Sequence, residues 1–248
     1  MTPTVYIYAT DSHTETSIKD FLRKINSEIT WIPRSPRQAK RPKKDYAIKD
    51  VLPVLTGRTG LDLENFMIEE IDMHPIIVLE CPAILLEDDL DRRDAFVDQN
   101  EYLTEQHKRL SDKIKNIVHG VSAELICLYA APEIETWLIE DWENSFGNAK
   151  LFNQQIATQL RPLINKMKDE CGGSFEHYSH YRDNKFSDWL IDNIQSLSEK
   201  YRIENHEMAS YSKSKHGSRF LGEIDPVKIE PKCRVYFSKA YHAIQRIV

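Results

Sequence analysis

The chain has 248 residues, 41% of them hydrophobic and 29% charged, with a formal net charge of −6 at neutral pH. That length accommodates one large α/β domain or a core with a helical appendage. No apolar run approaches the ~20 residues a bilayer helix needs, so a membrane partner is excluded, and the acidic balance leaves nucleic acid as a partner only where cations are concentrated locally.

The first element in chain order is "TVYIYAT" (4–10), an apolar run that reads as a buried strand. Because the opening residues lack the basic start and apolar stretch of a secretory signal, a cytoplasmic location is expected. Asp11, His13 and Glu15 follow the strand directly. Strand ends are where parallel α/β folds hold their chemistry, yet the same residues suit a helix start. The helix is "TETSIKDFLRKI", with Ile18, Phe21, Leu22 and Ile25 on one face.

A basic segment comes next. "PRSPRQAKRPKK" (33–44) sets Arg34, Arg37, Lys40, Arg41, Lys43 and Lys44 among three prolines, which block a regular helix. Such a loop can lie along a phosphate backbone. It can equally be a solvated loop, since no aromatic side chain is interleaved for base stacking. Residues 45–72 carry helical patterning, broken by Pro53 and by the turn from Gly57 to Gly60. Two β-like runs follow, "HPIIVLE" (74–80) and "AILLEDDLD" (83–91), then a polar helix over roughly 93–118.

"AELICLYA" (123–130) reads as a further apolar strand, and "APEIETWLIEDW" as a helix with Pro132 in its first turn and with Ile134, Trp137 and Leu138 packed on the sheet. Beyond residue 150 the pattern is mainly helical, interrupted at Gly172–Gly173 and across a polar segment near 205–219. Strands separated by helices predict a mostly parallel sheet. The expected organisation is an α/β core over 1–145 and a mainly helical part over 146–248 that returns a basic segment to the site. Cys81, Cys127, Cys171 and Cys233 form no CxxC pair and are expected reduced and buried.

Asp89 and Asp91 are two apart, so a strand that persisted to this point would turn both to one face. Two carboxylates pointing the same way repel unless a cation lies between them, and a hard, oxygen-loving ion such as Mg²⁺ or Mn²⁺ is the natural one. Glu87 and Asp88 either assist or are exposed neighbours, and the whole stretch equally reads as an acidic turn before a helix. Glu133 and Glu135 complement a helix N-terminus. They also lie at a strand exit, with Glu133 the nearer, whereas Asp141 is expected at the surface. "YSKSKHG" offers Lys213, Lys215 and His216, either as solvated residues or as cations for a phosphate. His177 and His180 suggest a metal pair less than a packed helical surface. No GxSxG, GxxxxGK[ST] or GxGxxG motif is present.

A strand ending in an acidic residue, a Thr-Glu turn into a helix, and a later strand ending in Asp-x-Asp together resemble the TOPRIM domain of topoisomerases, primases and overcoming-lysogenisation-defect nucleases. "APEIETWLIED" and "KSKHGSRFLGEIDPVKIEPKCRVYF" are similar to a bacterial domain-of-unknown-function family of that superclass. The resemblance spans nearly the whole chain. It implies a TOPRIM-like sheet, Mg or Mn as cofactor, and cleavage of nucleic-acid phosphodiesters, DNA ahead of RNA, by a bacterial defence or DNA-processing effector with a possible partner protein. Asp11 or Glu15, with Asp89 and Asp91, would hold the metal. Glu133, Lys213, Lys215 and His216 would complete the catalytic set. Where the family has Glu-Gly-x-Thr-Glu, this chain has Asp11, Ser12, His13, Thr14 and Glu15. That departure motivates an alternative, a catalytically weak subunit that binds nucleic acid or a partner protein without cutting.

Overall fold

The computed structural model describes residues 2–10, 15–34, 59–95, 97–203 and 208–248. Its strands are β1 (Thr4–Tyr8), β2 (Thr30–Pro33), β3 (Ala83–Asp89) and β4 (Glu124–Ala130). They pair in the order β2-β1-β3-β4, all parallel, so the chain is an α/β protein. Helices cover the sheet: α1 (Glu15–Ile25), α2 (Leu61–Met73), α3 (Ile76–Leu79), α4 (Gln99–Ile117), α5 (Glu135–Glu140), α6 (Gln154–Glu170), α7 (Tyr178–Tyr181), α8 (Phe186–Lys200), α9 (Ser218–Glu223), α10 (Pro226–Ile229) and α11 (Phe237–Gln245). Among the described residues no helix is long and apolar enough to cross a membrane.

A parallel sheet buries both faces, and all seven residues of β3 are buried. Alternation along the strands sorts the side chains. Val5, Ile7, Ala83, Leu85, Ile126 and Leu128 point into one core, which extends through Trp137, Phe186 and Phe220 to Ile244. This core includes Ile18, Phe21 and Leu22, as the α1 pattern predicts, and Ile134, Trp137 and Leu138. Tyr8, Ile84, Leu86, Leu125 and Tyr129 point into a second core with Leu63, Met67 and Ile71 of α2 and Leu110 and Ile114 of α4. All four cysteines are free and buried.

Several expectations need correction. "HPIIVLE" is the helix α3, not a strand: Pro75, at φ −60°, opens the turn, and Ile77 and Val78 bury on the second core. A short apolar run fits either state until packing decides. "TWIP", to which the sequence pattern assigns no element, forms edge strand β2, where a terminal proline removes no needed donor. Polar patterning places the α4 start near 93, but the Asp98 side chain, accepting from the backbone N–H groups of Asn100 and Glu101, sets it at Gln99. Pro132 lies before α5 rather than in its first turn. At the other break, the N–H of Gly173, at φ 89°, bonds the carbonyl of Lys168 and closes α6.

Candidate site at the carboxyl edge of the sheet

Odd-numbered residues of β3 face the first core, which brings Glu87 and Asp89 to the carboxyl edge on that side. The next strand exits there through Pro132 to Glu133 and the start of α5. Across the edge, the tight turn Lys213–Gly217 projects Lys213 into the gap. Its ammonium lies 2.7 Å from Asp89 Oδ2, 3.3 Å from Glu133 Oε1 and 3.5 Å from Glu135 Oε2. Three carboxylates therefore share one cation.

Each carboxylate is positioned by a further donor. The Ile134 N–H donates to Asp89 Oδ1 at 2.8 Å. Ser187, in the first turn of α8, donates its N–H to Glu133 Oε2 at 2.7 Å and its hydroxyl to Oε1 at 2.9 Å. The Tyr211 hydroxyl donates to Glu135 Oε1 at 2.9 Å. Glu87 is also buried and accepts a long contact, 3.4 Å, from the Thr10 N–H at the end of β1.

Burial raises the Asp89 pKa, against the pull of Lys213. Glu135 is pushed up to about 7, first by burial and then by its neighbours Asp89 and Glu133. Glu87 rises to about 8 for the same reasons, burial first, then Asp89 and Asp88. Burial works against the Lys213 charge, but Asp89, Glu135 and Glu133 outweigh it and hold its pKa well above the ordinary range. The cluster thus carries more acid than one ammonium neutralises. It keeps protons, or it takes another cation.

The structure redistributes the expected site residues. β3 stops at Asp89, and Asp91, at φ 50°, turns away to pair with Lys185 at 3.0 Å. Asp89 and Asp91 therefore meet different cations, because the strand whose alternation would align them does not reach Asp91. Asp88 and Glu87 are buried rather than exposed neighbours, and Asp88 faces the opposite core, where Arg93 and the Gly60 N–H (2.9 Å) meet it. Glu133 and Glu135 both reach Lys213. His216 closes the turn, its Nδ1 accepting the Ser212 N–H at 2.9 Å. Asp141 is buried, not at the surface, because its carboxylate accepts the N–H of Asp225 at 2.7 Å. His177 and His180 pack edge to face, 6.0 Å apart, and Phe175, Tyr178 and Phe186 of the same stretch are core, not surface.

Asp11, Arg37, Lys40, Arg41, Lys43, Lys44 and the side chains of Glu15 and Lys215 lie outside the described residues. Of the basic segment, Arg34 is described, its guanidinium 5.1 Å over the Tyr6 ring. Sequence reasoning missed Lys185, Ser187 and Tyr211. Tyr211 sits inside "YSKSKHG", while Lys185 and Ser187 start a helix and carry no pattern of their own.

Oxygen donors of carboxylate type suit Mg²⁺ or Mn²⁺. Their arrangement closes on Lys213: among the described residues, no group of three or more His, Cys, Asp or Glu is disposed to hold a metal ion. Compared with known proteins, the chain matches no family model, no curated protein and no solved structure.

Proposed function

We propose that the chain is a Mg- or Mn-dependent nuclease of TOPRIM-like type, cutting phosphodiester bonds at the Lys213 cluster with DNA ahead of RNA as substrate. The convergence of Asp89, Glu133 and Glu135 on one ammonium, at the carboxyl edge of a parallel sheet, is the observation in its support. The surplus acid favours a second cation there, and the order of motifs along the chain favours the nuclease class and a role in bacterial defence.

Asp89 and Glu133 are the residues that would hold the divalent ion, which when bound supplies charge neutralisation at the phosphate and a more acidic water. The chain's own groups do the rest. Lys213, partly exposed and already drawn to the edge, places a positive charge against the charge that develops on the phosphate. Glu135, with a pKa raised to about 7 and oriented by Tyr211, is poised to accept a proton from the attacking water near neutral pH. Lys185, 58% exposed in its side chain, offers a cation at the rim for a flanking phosphate.

Closure of the carboxylates on Lys213 favours a second reading, a subunit that binds nucleic acid without cutting. Incubation of the purified chain with plasmid and Mg²⁺ or Mn²⁺, with and without EDTA, separates the two. The nuclease reading predicts cleavage that EDTA abolishes. Binding with no cleavage under either ion supports the second.

A further inference from the structure

The end of α5 remote from Lys213 opens on a second concavity, a cavity of about 390 Å³. Arg161, Lys168, Lys228 and Lys232 line it, with the carboxylates of Glu140 and Asp141. Its charges are layered. Glu140 and Asp141 are buried, 5% and 2% exposed, while the side chains of Lys228, Lys232 and Arg161 are 48%, 44% and 55% exposed.

The buried acids are already committed. Glu140 Oε1 binds Lys168 at 2.5 Å. Asp141 accepts from the Asp225 N–H at 2.7 Å, the Asn144 amide at 2.8 Å and Lys228 at 3.3 Å. Lys232 donates to the main-chain carbonyl of Glu140 and stays 3.9 Å from its carboxylate. An ammonium has three donors, so Lys228 and Lys232 retain capacity toward the opening. Glu143, the remaining acid of the lining, pairs with Arg161 at 3.2 Å. Four cations against three acids leave the lining net positive.

We propose that this cavity is a second binding site, for a small molecule carrying a dianionic phosphate group. Its volume falls in the range of small-ligand sites, about 300–1,000 Å³. The indole of Trp142 has Phe146 stacked on it at 5.8 Å and the Arg161 guanidinium over it at 5.8 Å. With the ring so occupied, the wall favours a compact phosphate over a stacked nucleobase. The proposal stands whether or not the Lys213 cluster cleaves nucleic acid.

The test uses the whole chain with inorganic phosphate, pyrophosphate and glycerol 3-phosphate as probes, and sodium chloride at matched ionic strength. Calorimetric titration should show millimolar or tighter binding of the phosphates, with a rise in Tm that chloride does not reproduce. Lys228→Gln with Lys232→Gln should weaken that binding by at least about tenfold. Should the double variant fail to fold, Arg161→Gln, which alters an exposed ion pair and the contact over the Trp142 ring, should weaken it severalfold. Absence of phosphate binding overturns the proposal, and so does binding that these variants leave unchanged. Binding of a single-stranded oligonucleotide through Lys228 and Lys232, with no binding of the small phosphates, also overturns it and makes the cavity a backbone contact.

Discussion

Asp88 and Asp89 are chain neighbours, both buried at the end of the same strand, yet alternation sends them to opposite faces and to different cations. Asp88 meets Arg93, whose guanidinium also donates to the carbonyls of Leu90 and Asp89. Nearby, Glu64 binds Arg109 at 2.5 Å. Guanidinium forks fix geometry, and this face is held shut. Asp89 meets Lys213, a point charge shared with Glu133 and Glu135. An ammonium on a short turn is displaced more easily than a fork, so on the proposed reading the Asp89 face, rather than the Asp88 face, is the one that would exchange its cation. Asp88 is nonetheless imperfectly satisfied, since Oδ1 has no partner among the described residues. Its pKa is pushed up to about 7 by burial, against Arg93.

The largest effect should come from removing the shared cation. Lys213→Ala should lower the metal-dependent cleavage rate by about 10²–10³-fold, the range for losing one preorganised charge donor. Rates measured at saturating plasmid and equal folded fraction check it. A smaller loss in cutting than in binding would place Lys213 in substrate capture instead. The same variant leaves three carboxylates facing one another, so its stability deficit relative to wild type should grow as pH rises through about 7.

For the wild type, the sign follows from the raised values. Glu135, Asp88 and Glu87 have folded-state pKa values of about 7, 7 and 8, above their ordinary 4.5, 3.8 and 4.5. Protonated, they favour the folded state fully below the ordinary values, and that stability is lost as pH rises through 7 and 8. Tm should therefore fall between about pH 5 and pH 8.5, by about 2–4 °C for each kcal/mol lost in a chain of this size. Mg²⁺ or Mn²⁺ should restore part of the loss in wild type but not in a chain carrying Asp89→Asn with Glu133→Gln. A flat profile in scanning calorimetry would remove the surplus-acid argument.

Tyr211→Phe should have the smallest consequence. It removes one hydrogen bond to Glu135, for roughly 1–2 kcal/mol of stability, and should displace the acidic limb of the pH–rate profile, where the base becomes protonated, more than the maximal rate. An unchanged profile would detach Tyr211 and Glu135 from the chemistry.

Much of this contrast was legible in the residues. Apolar runs at 4–10, 83–91 and 123–130 mark three of the four strands, because buried parallel strands are continuously hydrophobic. "TWIP" escaped because four residues with a proline carry little periodicity, and α3 escaped because "IIVL" suits either state. Asp89, Glu133 and Lys213 were visible as acids at strand exits and a cation in a turn. The pairing of Asp89 with Asp91 failed for a local reason: it assumed two more residues of strand, and one left-handed residue undid it. Lys185 and Ser187 were not legible, because their role depends on where α8 docks, 54 residues in sequence from Glu133.

The comparison is tested most directly by two isosteric variants side by side, Asp88→Asn and Asp89→Asn, in metal-dependent cleavage of plasmid at matched folded fraction. Asp89→Asn should lose about 10²-fold or more in rate, while Asp88→Asn should keep its rate within a few-fold of wild type. Equal rate losses, or a larger one for Asp88→Asn, would contradict the assignment of chemistry to the Lys213 face.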